Sequence, residues 1–152
     1  MRREPRDLVN RASAHRTPWS ETVPQLIGRA VFGGYFVFSG LNHFANLRST
    51  AGYARAKSVP LAPLAVGTTG AMLILGGLSV LVGYRPKVGS ALLIGFLAGV
   101  SPTMHGFWND ENPKEREADM INFTKNVALA GAAMLAAGSP EPWPVSAAHP
   151  AR

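Results

Sequence analysis

The sequence of 152 residues contains no cysteine. The chain therefore cannot form a disulfide, a thiolate metal site or a dithiol redox pair of its own. Thiol–disulfide exchange is excluded unless another protein supplies the sulfur. A basic stripe interleaved with aromatic residues is also missing, although the formal net charge is +6. Most of the positive charge lies near the N-terminus, where anionic lipid headgroups explain it better than nucleic acid does.

Long stretches of the chain lack charge altogether. Val88 to Trp108 is a run of 21 residues without Asp, Glu, Lys or Arg. At about 1.5 Å of rise per residue, a helix of this length crosses a hydrocarbon core of roughly 30 Å. Three similar apolar runs accompany it, so the sequence predicts an all-α, polytopic membrane four-helix bundle. The predicted spans are residues 26–47, 61–83, 88–108 and 120–138.

The segments outside this membrane domain differ from it in composition. Residues 1–25 carry five arginines and few large apolar side chains, which predicts a basic, poorly ordered arm. Residues 139–152 contain four prolines and are predicted to be an extended or disordered tail. Between the first two spans, a short interfacial helix is expected around residues 51–57. Arg29, near the start of the first span, is expected to extend its charge to the headgroups.

Four spans place both termini on one side of the membrane. That side has eight positive residues and the opposite loops have five, so the positive-inside rule predicts that both termini are cytoplasmic. The eight are Arg2, Arg3, Arg6, Arg11, Arg16, Arg85, Lys87 and Arg152, and the five are Arg48, Arg55, Lys57, Lys114 and Arg116.

Polar residues gather near the outer ends of three predicted spans. His43 and His105 end outward-running spans, and Lys125 lies at similar depth at the start of an inward-running span. Polar groups inside a membrane are costly, so this layer is a candidate ligand-binding site. A histidine there can also simply bind water or a neighbouring carbonyl, and Trp108 fits an aromatic belt. The candidate residues are Ser39, Asn42, His43, His105, Trp108, Asn122, Lys125 and Asn126.

Lys125 is unusual because a cation in the first turns of a helix opposes the macrodipole. Either an acid such as Glu117 or Asp119 compensates it, or the site receives an anionic or carbonyl-bearing ligand. Glycines in the second span predict close helix packing. The pair Gly95 and Gly99 in the third span is typical of ordinary helix packing as well.

A series of short motifs lies in a specific order along the chain. Together these motifs resemble the DoxX family of small four-helix membrane proteins, over about residues 28–138. The resemblance implies a four-helix bundle in the cytoplasmic membrane and an association with redox processes. One namesake is a thiosulfate:quinone oxidoreductase, and relatives are linked to a membrane complex that resists oxidative and thiol stress. The motifs are Gly28-Arg29, residues 39–44, Tyr53-Ala54, Val59-Pro60, Gly76-Gly77, Gly83-Tyr84, residues 105–108 and residues 122–126.

The polar residues and the family resemblance together suggest two functions. The first is a subunit of a redox-linked membrane complex, not active alone as an oxidoreductase, that binds a quinone headgroup near the outer face. In this hypothesis His43 and His105 hold or protonate the carbonyls, Lys125 stabilises negative charge and Trp108 packs on the ring. The same residues could hold a sulfur oxyanion instead. The alternative is a non-catalytic anchor or scaffold that recruits soluble redox enzymes, with histidines that only tie helices together.

Other cofactors fit the sequence less well. Haem bound by His43 and His105 would lie close to the membrane surface, so it ranks low. Zinc would need a third or fourth ligand, which only acids of the outer loop could provide, so no metal site is predicted. Expected partners are membrane lipid and other subunits, with an oligomer left open.

Overall fold

The computed structural model of the chain describes residues 18–143, with side chains from Thr22 onward. The basic arm predicted for residues 1–25 and the tail predicted for residues 139–152 lie largely outside the described residues. Within the described part, all regular secondary structure is helical. The predicted all-α class is therefore confirmed for this part of the chain.

Five α-helices and one 3₁₀ turn make up the fold. α5 begins at Pro113 rather than at Met120, so charged residues that we expected in a loop form its first two turns. The reason is a cap: the Asn112 side chain accepts a hydrogen bond of 3.0 Å from the Lys114 backbone N–H, and proline suits the first helical position. The elements are α1 Pro18–Ala45, α2 Leu47–Ala56, α3 Ala62–Val82, α4 Pro86–Met104, the 3₁₀ turn Phe107–Asn109 and α5 Pro113–Gly138.

Three helical segments within residues 18–143 are long and apolar enough to cross a membrane. They are α3, α4 together with the 3₁₀ turn, and α5. α1 has 28 residues, which is ample length, but it is not one of the three. Gln25, Arg29 and His43 lower its mean hydropathy. The structure thus defines an all-helical membrane protein with three candidate spans among the described residues.

Glycines bring α1 and α3 into backbone contact. A Cβ on Gly33 would lie 2.7 Å from the Gly77 carbonyl oxygen, and a Cβ on Gly40 would lie 2.7 Å from the Gly70 carbonyl oxygen. No real side chain tolerates such a distance. Because the glycines in each helix are seven residues apart, they lie on one face two turns apart. The close packing that we expected from the glycines of the second span is therefore present.

The four long helices pack in the order α1, α3, α4, α5, so that each contacts the next in this series. A tight turn joins α3 to α4: Gly83 adopts φ 69°, and the Ser79 hydroxyl lies 2.7 Å from the Tyr84 carbonyl oxygen. α2 packs against the start of α3 through Ala51 and Ala54. The main core draws on every long helix; its buried members are Phe36, Leu73, Val80, Leu93, Leu97, Ala133 and Trp143.

Arg29 does not extend to the headgroups as we expected from the sequence. Its side chain is buried, and its guanidinium donates hydrogen bonds to the carbonyl oxygens of Val80 (3.2 Å) and Leu81 (3.0 Å). These carbonyls lie at the C-terminal end of α3, where a helix presents unpaired acceptors and a partial negative charge. The guanidinium also stacks over the Trp143 ring, 5.5 Å from its centroid. Arg29 thus joins α1 to α3 and to the segment after α5.

We expect Gly33→Leu to destabilise the protein, because the new side chain would meet the α3 backbone. Overpacking of this kind costs roughly 1–3 kcal/mol. Thermal unfolding in detergent would measure the loss. Gly34→Leu is the matched control, since a Cβ on that neighbouring glycine meets nothing within 4 Å. Equal effects of the two variants would show that the glycine contact is not what holds α1 on α3.

Candidate functional site

A cavity lies among the end of α1, α2, the first half of α3 and the second half of α4. Its volume of about 320 Å³ is at the lower end of the roughly 300–1,000 Å³ typical of small-molecule sites. Its walls are mainly apolar. The lining residues are His43, Thr50, Ala54, Val59, Ala65, Val66, Thr69, Met72, Gly95, Phe96, Gly99, Val100, Thr103 and Met104.

His43 is the one ionisable side chain in this lining. Its Nδ1 lies 2.9 Å from the backbone carbonyl oxygen of Ser39, one turn earlier in α1. A carbonyl oxygen can only accept, so Nδ1 carries a hydrogen and donates it. In the neutral imidazole, Nε2 is then left with a lone pair. The ring also packs edge-on against Phe96, with 6.3 Å between centroids.

Most hydroxyl groups of the lining are already used within their own helices. Thr69 Oγ1 donates to the Ala65 carbonyl oxygen at 2.8 Å, and Thr103 Oγ1 donates to the Gly99 carbonyl oxygen at 2.7 Å. The Thr50 hydroxyl and His43 Nε2 make no hydrogen bond to the part of the chain that the structure describes. These two groups are therefore the polar functions that the cavity offers to a ligand.

His105 belongs to a different site. Its Nδ1–H donates to Asp119 Oδ1 at 2.9 Å, while Lys57 Nζ donates to Asp119 Oδ2 at 2.8 Å. Asp110 lies near the lysine, with 3.8 Å between Nζ and Oδ1. Asp119 is buried, and it joins the end of α4 and the loop after α2 to α5. We call Lys57, Asp119 and His105 the ion-pair cluster.

The hydrogen bond from Lys57 to Asp119 raises the pKa of the lysine above its ordinary value of 10.5. The lysine is therefore protonated throughout the neutral range. Because the pKa is higher in the folded state, the contribution of Lys57 to stability is complete below pH 10.5. While Asp119 is ionised, this contribution is lost as the pH rises through the higher folded value.

Lys57 and Asp119 were missed as site residues by the sequence analysis. Lys57 stands in a basic loop and Asp119 ends a run of charges, and 62 positions separate them. One signal was present: Asp119 is the last acid before the apolar part of α5, where an unpaired carboxylate would be costly.

The other predicted site residues do not line the cavity. Asn42 is exposed, and its Oδ1 accepts a hydrogen bond from Asn46 at 2.7 Å. Trp108 is about half exposed and packs edge-on against Phe107 and Phe123. Of the eight candidates, the structure brings together only His43 and Ser39, through the carbonyl of the latter.

The polar residues of α5 likewise stand apart. Asn122 and Asn126 are half-buried, Lys125 is exposed, and none of the three side chains makes a hydrogen bond or ion pair within the described residues. Asp119, one of the two acids that we considered as compensation for Lys125, pairs instead with Lys57 and His105. Within residues 18–143, no group of three or more metal-ligating side chains is present.

These features define a small, all-helical membrane protein with an apolar cavity beside its short second helix and an ion-pair cluster at the same end. The family model for DoxX matches residues 25–106, more than half of the chain, and the protein belongs to the DoxX family. The matched segment contains the whole cavity lining and excludes α5. No curated protein and no solved structure matches the chain.

We expect Asp119→Asn to destabilise the protein because it removes the charge that pairs with Lys57. Breaking a buried pair is costly, but Lys57 is partly exposed, so the loss is expected to be about 1–3 kcal/mol. Thermal unfolding in detergent would measure it. Glu117→Gln, an exposed acid of the same helix, is the control and should change stability little. A loss no greater than that of the control would mean that the ion-pair cluster contributes no stability.

Proposed function

We propose that this protein is the membrane subunit of a redox-linked complex and binds a quinone-like headgroup in the cavity beside His43. The observation that carries the proposal is an apolar cavity of about 320 Å³ with one imidazole whose tautomer is set by Ser39. Apolar walls with few polar groups that fix orientation are typical of small-molecule sites.

The chemistry of His43 suits the reduced form of such a ligand. A hydroquinone hydroxyl is a hydrogen-bond donor, and neutral His43 presents Nε2 as the matching acceptor. If a quinol is oxidised here, Nε2 would accept one of its two hydroxyl protons as a general base, and the second proton would pass to water. Both electrons would pass to a redox centre on another subunit, since this chain has no dithiol of its own. In the reverse direction, protonated His43 donates to the quinone carbonyl.

The membrane arrangement follows from the same proposal. α1 forms a fourth span, in which hydrogen bonds to the α3 carbonyls partly offset the cost of burying the Arg29 charge. Both termini are then cytoplasmic. The positive-inside rule favours this orientation, because the side with the termini has eight positive residues and the opposite loops have five. The cavity and the ion-pair cluster lie toward the outer face of the cytoplasmic membrane.

A second candidate function is a non-catalytic scaffold for soluble redox or stress enzymes. The ion-pair cluster favours it, since His105 serves there to join helices, as a scaffold requires. The cavity beside His43 is not explained by this alternative, and the first proposal is therefore preferred.

We expect His43→Ala to weaken binding of a methyl-substituted benzoquinol by about tenfold or more, because one hydrogen bond in a desolvated site is lost. Quenching of the protein's tryptophan fluorescence, or equilibrium dialysis in detergent, would measure the affinity. His105→Ala is the control: it lies outside the cavity and should keep the affinity while losing stability. Absence of binding to the unmodified protein would contradict the proposal and favour the scaffold.

The topology can be tested with single cysteines, because the natural chain has none. Ser49→Cys should react in intact cells with a maleimide that cannot cross membranes. Ser13→Cys and Lys87→Cys should react only after the membrane is opened. If Ser13→Cys and Ser49→Cys were labelled from the same side, α1 would not span the membrane and the four-span arrangement would be wrong.

A further inference from the structure

The short helix α2 forms one wall of the cavity. Thr50, Ala54 and Lys57 are spaced four and three residues apart, so they lie on the same face of the helix. Thr50 and Ala54 line the cavity, as does Val59 of the following loop. Lys57, just beyond the end of α2, extends from this face to Asp119 of α5. The cavity wall and the ion-pair cluster therefore share one helix face.

Apolar contacts alone hold α2 weakly. Its buried side chains are those of Ala51 and Ala54, and an alanine methyl removes little apolar surface from water. A helix of 10 residues is also too short to be stable by itself. The position of α2 therefore depends on how its two ends are connected to the rest of the bundle.

The two ends of α2 are connected in different ways. At the start, α1 leads into α2 through Asn46, whose carbonyl oxygen accepts a hydrogen bond of 2.9 Å from the Thr50 backbone N–H. At the other end, Ser58 (φ 61°) and Leu61 (φ 49°) adopt the left-handed backbone conformation, although neither is glycine. Such a conformation is costly and persists where the surrounding contacts hold it. Lys57, next to Ser58 in the sequence, makes a contact of this kind.

The ion pair of Lys57 fixes this end of α2 to the bundle. Its Nζ lies 2.8 Å from Asp119 Oδ2 and 3.8 Å from Asp110 Oδ1, and both carboxylates are largely buried. Within residues 18–143, this is the one side-chain hydrogen bond that joins residues 47–61 to another helix. Because His105 also binds Asp119, the carboxylate is held from two sides and gives the lysine a rigid partner.

We infer that Lys57 is a positioning residue for the ligand site, because its pairing with Asp119 holds α2 closed over the cavity. This inference rests on the proposed binding of a ring headgroup beside His43. The Thr50 hydroxyl, one of the two free polar groups of the cavity, lies seven residues, or about two turns, before Lys57. When the ion pair is broken, α2 moves away from the bundle and the hydroxyl leaves the site.

The first measurement needs no ligand. Because the natural chain has no cysteine, Ala54→Cys places a single thiol in the α2 wall, where the native residue is 4% exposed. N-ethylmaleimide should modify this thiol slowly. We expect Lys57→Met to raise the rate by about fivefold, since loss of a partly buried ion pair increases the population of the open position. Lys57→Arg should restore the slow rate, because arginine can pair with the same carboxylate.

Two controls separate opening of α2 from other effects. Ala133→Cys reports loosening of the whole bundle, because Ala133 is likewise buried but lies on α5 in the main core. Its modification rate should not change in Lys57→Met. Arg55→Met is the matched control for charge, since Arg55 is exposed on α2 and makes no ion pair within the described residues. Neither thiol should respond to it.

The second measurement is the affinity for the methyl-substituted benzoquinol, by equilibrium dialysis of the full chain in detergent. Lys57→Met should weaken binding by about fivefold, the effect of one lost hydrogen bond, whereas Lys57→Arg and Arg55→Met should keep the affinity. Thr50→Val removes the hydroxyl without touching the ion pair and should cause the same loss. Because both changes remove one interaction, the double variant of Lys57→Met and Thr50→Val should lose no more than either single variant.

Four results would overturn the inference. An unchanged rate at Ala54→Cys in Lys57→Met would show that the ion pair does not hold α2. Equal rises at Ala54→Cys and Ala133→Cys would show that Lys57 supports the whole bundle. A faster rate at Ala54→Cys with unchanged affinity, or losses that add to that of Thr50→Val, would separate the ion pair from the ligand site.

None of these four results would affect the proposed headgroup site, as long as the unmodified protein binds the benzoquinol. Failure of the unmodified protein to bind this probe would refute the proposed function itself. The rates of thiol modification would still show whether Lys57 holds α2, because they are measured without ligand.

Discussion

The close approach of the α1 and α3 backbones is the constraint on which the rest of the structure depends. Gly40 faces Gly70, and His43 follows one turn later, so its Cβ would lie 3.1 Å from a Cβ on Gly70. The Cβ of His43 is therefore held against α3. Because backbone atoms make the contact of Gly40 with α3, a rearrangement of side chains cannot make room for a larger residue at Gly40. The position of His43 therefore follows from glycines that carry no chemistry.

Charged groups hold the two ends of the bundle by different means. At the end where α3 closes, Arg29 binds the last carbonyls of that helix and stacks on Trp143. At the other end, Asp119 receives hydrogen bonds from Lys57 and His105 and so joins three segments. In both cases the charge is matched by hydrogen bonds, as burial requires. The cavity lies at the same end as the ion-pair cluster, beside α2.

The cavity combines a single proton-accepting atom, Nε2 of His43, with walls that offer almost no competing hydrogen bonds. Thr69 and Thr103 bind their own helix backbones, so a ligand would be oriented mainly by the imidazole. These properties support a binding role for His43 beyond that of a residue that joins helices.

The sequence by itself determined the helical class, the positions of the apolar segments and the membership in the DoxX family, because hydropathy and motif order are properties of contiguous residues. It also singled out His43. It could not assign His105 to Asp119, or Arg29 to the end of α3, because such partners depend on which helices become neighbours. Topology alone placed His43, His105 and Lys125 in one layer, but depth does not set the direction in which a side chain points. Only the tertiary structure, through the glycine contacts of α1 and α3 and the ion-pair cluster, decided that His43 faces a cavity and that His105 does not.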